Sequence, residues 1–217
     1  MNSLKKYLLA ALSIASLSFA THAVAVDVEA PDALVKRISQ EVLDIAKTDK
    51  DIQGGNQKRV LQVVEEKILP SVDFQKMTSL AAGRFWREAT TEQQKQLTTE
   101  FRSLLVYTYA GAISQVRDQK VQFKPMRAAA GDTDVEVHSE VMQSRGEPIV
   151  INYRLEKEAG AWKIYDVNVL GAWLVESYKS TFAAEINKGG IDGLIKVLTD
   201  KNKKLAAATA ARNKSAS

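Results

Sequence analysis

Apolar residues recur every three or four positions through the first half of this chain, every second position through its middle, and every three or four again towards its end. From Pro31 to Ala46, the residues Leu34, Val35, Ile38, Val42 and Ile45 fall on one helical face. The turn Gln53-Gly54-Gly55-Asn56 stops that helix and starts a second, with Val60, Leu61, Val64 and Ile68, which Pro70 ends. Asp73 is placed to cap a short third helix carrying Phe74, Met77, Leu80 and Ala81, which Gly83 closes. Thr90 and Gln93 stand at capping-box spacing before the longest helix, whose Leu97, Phe101, Leu104, Leu105, Thr108, Ala112 and Val116 share its buried side.

The period then changes. Val121 and Phe123 precede Pro125; Val135, Val137 and Val141 alternate with Glu136, His138 and Glu140; Ile149, Ile151, Tyr153 and Leu155 alternate with Val150, Asn152 and Arg154. Tyr165, Val167 and Val169 continue the alternation after the Ala159-Gly160 turn. Four strands with short connections predict an antiparallel meander with one apolar and one wet face, and only the helices are available to cover the apolar one. The pattern predicts an α+β fold, a helical layer packed on a four-stranded antiparallel sheet. From Trp162 to Leu198 a strand passes through Gly171 into an aromatic-studded helix beginning near Ala172. A strand and a helix that share an apolar face and turn at a glycine make two walls of a pocket.

The ends of the chain narrow the picture. Lys5 and Lys6, the apolar run from Tyr7 to Ala20 and the small-x-small site Ala23-Val24-Ala25 read as a cleavable signal peptide over residues 1–25, too short in its apolar part to span a bilayer. Its removal leaves 192 residues, enough for one domain over 26–204, with no transmembrane segment expected in the mature chain. The basic, alanine-rich stretch 205–217, with Arg212 and Lys214, reads as a disordered tail. There is no cysteine, which removes disulfides, thiol chemistry and a lipid-modified N-terminal cysteine, and export to a bacterial periplasm is the simplest destination. Losing Lys5 and Lys6 from 30 basic residues leaves 28 against 26 acidic ones, and no basic stripe interleaves with aromatics, so nucleic acid is not expected as a partner.

Little in the chain is equipped for catalysis. His138 with Asp134, Glu136 and Glu140 can be drawn as a metal site, but the same spacing describes a solvated sheet face, and no metal or cofactor is expected. Asp166 beside Tyr165 or Tyr153 can be cast as base and oxyanion donor; strict alternation puts Asp166 opposite Tyr165 and breaks the pairing. There is no G-x-S-x-G elbow and no GxxxxGK[ST], and the glycines at 189, 190 and 193 lack the residues of a phosphate cradle. An enzyme is therefore not expected.

The run VDFQKMTSLAAGRFWREATTEQQKQLTTEFRSLLVYTY, the strand WKIYDV and the ending INKGGIDGLIKVL together resemble the MlaC family, the periplasmic phospholipid-binding component of the Mla lipid-asymmetry pathway, also called the toluene-tolerance auxiliary component of an ABC transporter. The resemblance covers roughly Ala30 to Lys204, in order. It implies a curved sheet of the NTF2-like type packed with helices around an apolar cavity for acyl chains. It also implies a monomeric shuttle that docks on an outer-membrane lipoprotein complex and on the lipid-binding subunit of an inner-membrane ABC transporter, maintaining outer-membrane lipid asymmetry. The chain departs from the family pattern at the strand-to-helix corner, where Leu170 stands in place of an expected acidic residue and Ala172-Trp173 in place of a smaller, more polar pair.

A lipid ligand also makes physical sense of so apolar an interior. At ~0.8 kcal/mol per methylene, a diacyl lipid with roughly 30 methylenes loses about 24 kcal/mol if its tails are solvated, so crossing water requires a protein-lined slot. The expected lining is Ile149, Ile151, Tyr153, Tyr165, Val167 and Val169 from the sheet, with Leu80, Phe101, Leu105, Trp173, Leu174 and Tyr178 from the helices. Tyr153, Tyr165 and Tyr178 suit a mouth, where the ring packs and the hydroxyl stays wet. Arg84 and Arg87, beside Phe85-Trp86, are placed to touch a phosphate if they are not simply solvated helix ends. A periplasmic chaperone with an open apolar groove and an NTF2-like isomerase or hydratase are the alternatives.

Overall fold

Helix α1 (Pro31–Thr48) opens with Pro31 at its first position, where a missing N–H costs nothing, and buries Leu34, Val35, Ile38, Leu43 and Ala46. This computed structural model describes residues 28–126, 128–129, 131–144 and 146–215. The expected signal peptide lies outside them. Helix α2 (Lys50–Gln53) is capped by Asp49, whose carboxylate accepts from the N–H groups of Asp51 and Ile52 and pairs with Arg59 at 2.8 Å. Asn56 caps α3 (Gln57–Val63) on the Arg59 N–H; the chain then widens into a π turn over Val64–Ile68 and tightens into a 3-10 turn over Leu69–Ser71, at Pro70.

Asp73 caps α4 (Phe74–Ala82) through the Lys76 N–H at 2.8 Å, and Gly83 closes it at a φ of 59°. Thr90 and Gln93 form a reciprocal capping box on α5 (Thr91–Tyr109). The helix was expected to reach Val116, but beyond Tyr109 it tightens into a 3-10 segment, Ala110–Gln115.

Among the described residues the sheet has five strands rather than the four expected, all antiparallel and in chain order: β1 (Lys120–Phe123), β2 (Asp134–Met142), β3 (Ile149–Glu158), β4 (Ala161–Val169) and β5 (Ala172–Trp173). The fifth strand, placed in the following helix by sequence, is two residues long. No period can be read from so short a piece. A bulge in β4 pairs Arg154 with Asp166 but Leu155 with Ile164, leaving Tyr165 as the extra residue. Helix α6 runs from Leu174 to Ser215 and breaks once, at Gly190 (φ 68°, ψ −173°). The segment from Leu205 to Ser215, expected without structure, is helical; Asn213 accepts a 2.7 Å hydrogen bond from the Gln57 N–H at the start of α3, which holds it to the body of the protein.

Among the described residues, the buried apolar ones gather in three clusters. One lies among α4, α5 and α6, around Met77, Phe101, Leu104, Phe182 and Leu194. A second joins α1 to the sheet through Leu34, Val35, Ile38, Val135, Val137, Leu155 and Ile164. The third fills the space among the end of α1, α2, α3 and the 3-10 segment after α5, around Ala46, Ile52, Val60, Val63 and Ala110.

Candidate functional site

Register fixes which side chains share the sheet's apolar face. Val135, Val137, Ser139 and Val141 on β2 stand opposite Leu155, Tyr153, Ile151 and Ile149 on β3, which in turn face Ile164, Val167 and Val169 on β4. Burial along this one face is uneven. Val135, Val137, Leu155 and Ile164 are buried against α1, whereas Val141, Ile149, Ile151 and Val169, at the opposite end of the same face, are only half-buried. Four further apolar residues, Val42, Ile68, Val72 and Val167, each pack against two of the three clusters and still stay half-buried. These side chains join two cores without being sealed by either.

Tyr153 sits between the covered and uncovered ends. Burial pushes its phenol above the ordinary range, while the hydroxyls of Ser139 and Ser39 pull the other way. Ser139 in turn donates to the Ile151 carbonyl at 2.8 Å. These hydroxyls form a small polar group in an otherwise hydrocarbon wall.

Of the sheet residues expected to line a pocket, Ile149, Ile151, Tyr153, Val167 and Val169 share this face; Tyr165 does not. The bulge turns Tyr165 away, so that its hydroxyl donates to the Asp134 carboxylate at 2.9 Å and the Lys76 ammonium lies 4.2 Å from its ring centroid. Burial first, and Asp134 second, raise its pKa. Trp173 pairs with Asn168 and therefore also stands on the opposite face, under the Arg154 guanidinium. Phe101, Leu105, Leu174 and Tyr178 belong to the core among α4, α5 and α6. There Phe101 packs edge-on against both Tyr178 and Phe182, each with centroids 5.0 Å away. Burial, aided by Tyr109, pushes the Tyr178 hydroxyl up to about 12. Leu80 is 38% exposed on α4. Val42, Ile68, Val72 and Val141, half-buried on or beside this face, were not among the residues expected to line a pocket.

The other face is a charge network. Arg154 donates to Glu136 at 2.9 Å and approaches Asp166 at 3.7 Å; Lys124 pairs with Glu140 at 2.7 Å; Lys76 pairs with Glu156; and His138 stands 3.8 Å from Glu136. Asp134, Glu136 and Glu140 thus already have partners, as a solvated sheet face would. Asp166, 2% exposed, accepts from the backbone N–H groups of Val167 and of Val175 in the first turn of α6. Burial raises its pKa against the pull of those donors, and its carboxylate works as a helix cap. Arg84 and Arg87 are both exposed, and Arg84 lies over the Phe85 ring.

Four surface depressions framed by described residues fall outside the expected lining. The largest of them, about 520 Å³, is a charged groove between α4 and the β3–β4 hairpin with Lys76, Trp86, Glu156 and Lys157 on its walls. Among the described residues no helix is long and apolar enough to cross a membrane.

A family model described as "MlaC protein" matches residues 36–200. The chain is 26% identical to the intermembrane phospholipid transport system binding protein MlaC of Haemophilus influenzae, over 67% of this chain and 72% of that one. It is 24% identical to toluene tolerance protein ttg2D of Pseudomonas putida, over 76% of each. Among solved structures it resembles the phospholipid-binding protein from Ralstonia solanacearum, determined in complex with a phospholipid, at 49% identity and a TM-score of 0.76, covering 81% of this chain and 98% of that one.

Proposed function

Because the chain belongs to the MlaC protein family, we propose that it is a phospholipid carrier that holds acyl chains against the half-covered end of its sheet. The observation that carries this reading is the gradient of burial along one apolar face. α1 seals Val135, Val137, Leu155 and Ile164, and leaves Val141, Ile149, Ile151 and Val169 without a full complement of protein neighbours. An acyl chain is the natural complement, since it offers hydrocarbon along its length and no polar group needing a partner. Val42 and Ile68 form the helical side of the slot and Val167 part of its floor. Support comes from the Ralstonia protein, similar over most of this chain and named for its bound phospholipid, and from the Haemophilus relative, named as a transport-system binding protein.

The ester region lies towards Tyr153, Ser139 and Ser39, and the head group stays in solvent, so several head groups are accepted. Transfer between bilayer hydrocarbon and such a slot is nearly neutral, and direction comes from differential affinity among partners or from ATP hydrolysis elsewhere. Residues 1–25 are removed on export and the mature chain works in the periplasm as a monomer without a cofactor. It shuttles between an outer-membrane lipoprotein complex and the lipid-binding subunit of an inner-membrane ABC transporter, keeping the outer membrane asymmetric. It converts nothing.

Native mass spectrometry of mature protein purified without detergent, followed by organic extraction, tests this. A bound mass matching a phospholipid, released intact by solvent, is expected. Protein free of lipid that also fails to take it up from vesicles would sink the reading.

A further inference from the structure

Leu170 is the most exposed of the large hydrophobic residues in the described structure, at 71%, and its backbone is in the left-handed region at a φ of 53°. With Gly171 at a φ of 89° it forms the two-residue turn between β4 and β5, the positive-φ pair of a type I′ hairpin. Glycine suits the first of these positions because it has no Cβ to crowd the carbonyl oxygen, and asparagine because its side chain bonds locally; leucine has the crowding without that compensation. The turn behind it is nonetheless rigid. The Leu170 N–H donates to the Val150 carbonyl at 3.1 Å and the Gly171 N–H to the Asn168 side chain at 3.0 Å. Gly171 and Ala172 beside it are exposed and uncharged, as is Val150 at 38%. A fixed turn holding out a strained, solvated leucine is locally unfavourable on two counts, the pattern of a site kept for a contact.

Its position says which contact. Val169, the residue before the turn, pairs with Ile151, so the prong projects from the uncovered end of the apolar face, where Val141 and Ile149 also lie. A protein partner would call for a wide apolar patch, and the exposed apolar surface here is small, Leu170 with Val150 and the uncharged Gly171 and Ala172. A fluid hydrocarbon surface asks for no matching shape, and one leucine gives the weak, reversible hold that a carrier needs.

We propose that the Leu170 turn is a membrane-contact prong that dips into the lipid surface and brings the mouth of the slot against it. Its place in the transfer cycle rests on the acyl-slot reading, but its contact with lipid does not. Because the chain has no cysteine, Leu170→Cys in the mature protein carries a single polarity-sensitive fluorophore, and Val197→Cys, on the exposed side of α6, carries the control. On adding vesicles of phosphatidylethanolamine and phosphatidylglycerol, the label at 170 gains emission and shifts to the blue while the label at 197 does neither. Leu170→Asn, which suits the turn, keeps the wild-type content of bound phospholipid at equilibrium and slows uptake of fluorescent phospholipid from vesicles about tenfold, the partition expected for one leucine side chain. A silent label at 170, an equal response at 197, or wild-type uptake by Leu170→Asn overturns the proposal. Failure of the slot reading is recognised separately, as wild-type protein that carries no lipid while the label on Leu170→Cys still responds.

Discussion

The guanidinium carbon of Arg154 lies 3.8 Å from the centroid of the Trp173 ring, so the last strand residue before α6 is pinned to the middle of the sheet by a cation–π contact. The same Arg154 bonds Glu136 and approaches Asp166, and Asp166 caps α6. One side chain thereby ties β2, β3, β4, β5 and the start of the final helix together.

Trp173→Ala removes that pin from the face opposite the proposed slot. Half-buried and stacked, Trp173 contributes about 2 kcal/mol, so the variant melts roughly 4–8 °C lower. Its bound-lipid profile stays that of the wild type. Thermal denaturation with lipid extraction checks both; a shifted profile would place the indole in the slot.

Asp166 gives the fold a pH dependence of unusual sign. Its folded pKa is raised above the ordinary 3.8, mainly by burial, so the folded state holds its proton more tightly than the unfolded one. Its contribution is greatest below the unfolded value and is lost as pH rises through the folded one. Asp166→Asn keeps an acceptor for Val167 and Val175 and removes that loss. Melting curves across the acid to neutral range therefore show a variant whose stability falls less than the wild type's just above the ordinary carboxylate pKa. Identical slopes in the two proteins would mean that Asp166 titrates normally.

Elements whose outcome is decided by local chemistry are the most legible in the chain. The Asp73 cap, the Thr90–Gln93 box and the Gly83 stop all act within a few residues of themselves, and each is found as read. Alternation locates β2, β3 and β4 but not the bulge, which depends on how two strands meet, so Tyr165 lies on the face opposite to the one alternation gives it. Trp173 fits a helical pattern because an aromatic followed by Leu174, Val175 and Tyr178 satisfies a helical period whether or not the helix has begun. The difference in burial along the apolar face is the least legible feature. Periodicity marks a face as apolar, and what separates Ile151 from Leu155 on that face is whether α1 happens to lie above it.

Deleting residues 205–217 tests the end of α6. The deletion removes Leu205 from the helical core and the Asn213 acceptor from the start of α3. A lost helix-end bond and one half-buried leucine together are worth about 2 kcal/mol, so the shortened chain melts roughly 4–8 °C lower. Unaltered melting would return the segment to the status of a tail.

Ile151→Glu and Val137→Ala separate slot from core on the same face of the sheet. Val137 is 1% exposed beneath α1, so removing two methyl groups there leaves a cavity and costs about 2 kcal/mol, while lipid content stays the same because no slot wall has moved. Ile151 is half-buried, and a carboxylate there can reach water in the empty protein, so folding is affected less. Once an acyl chain fills the space, that carboxylate has neither water nor a cation and binding must desolvate it, which lowers bound phospholipid by at least about tenfold. The contrast is measured by urea unfolding and extracted lipid on both variants. If Ile151→Glu retains lipid while Val137→Ala sheds it, the ligand lies under α1 and not at the open end of the sheet.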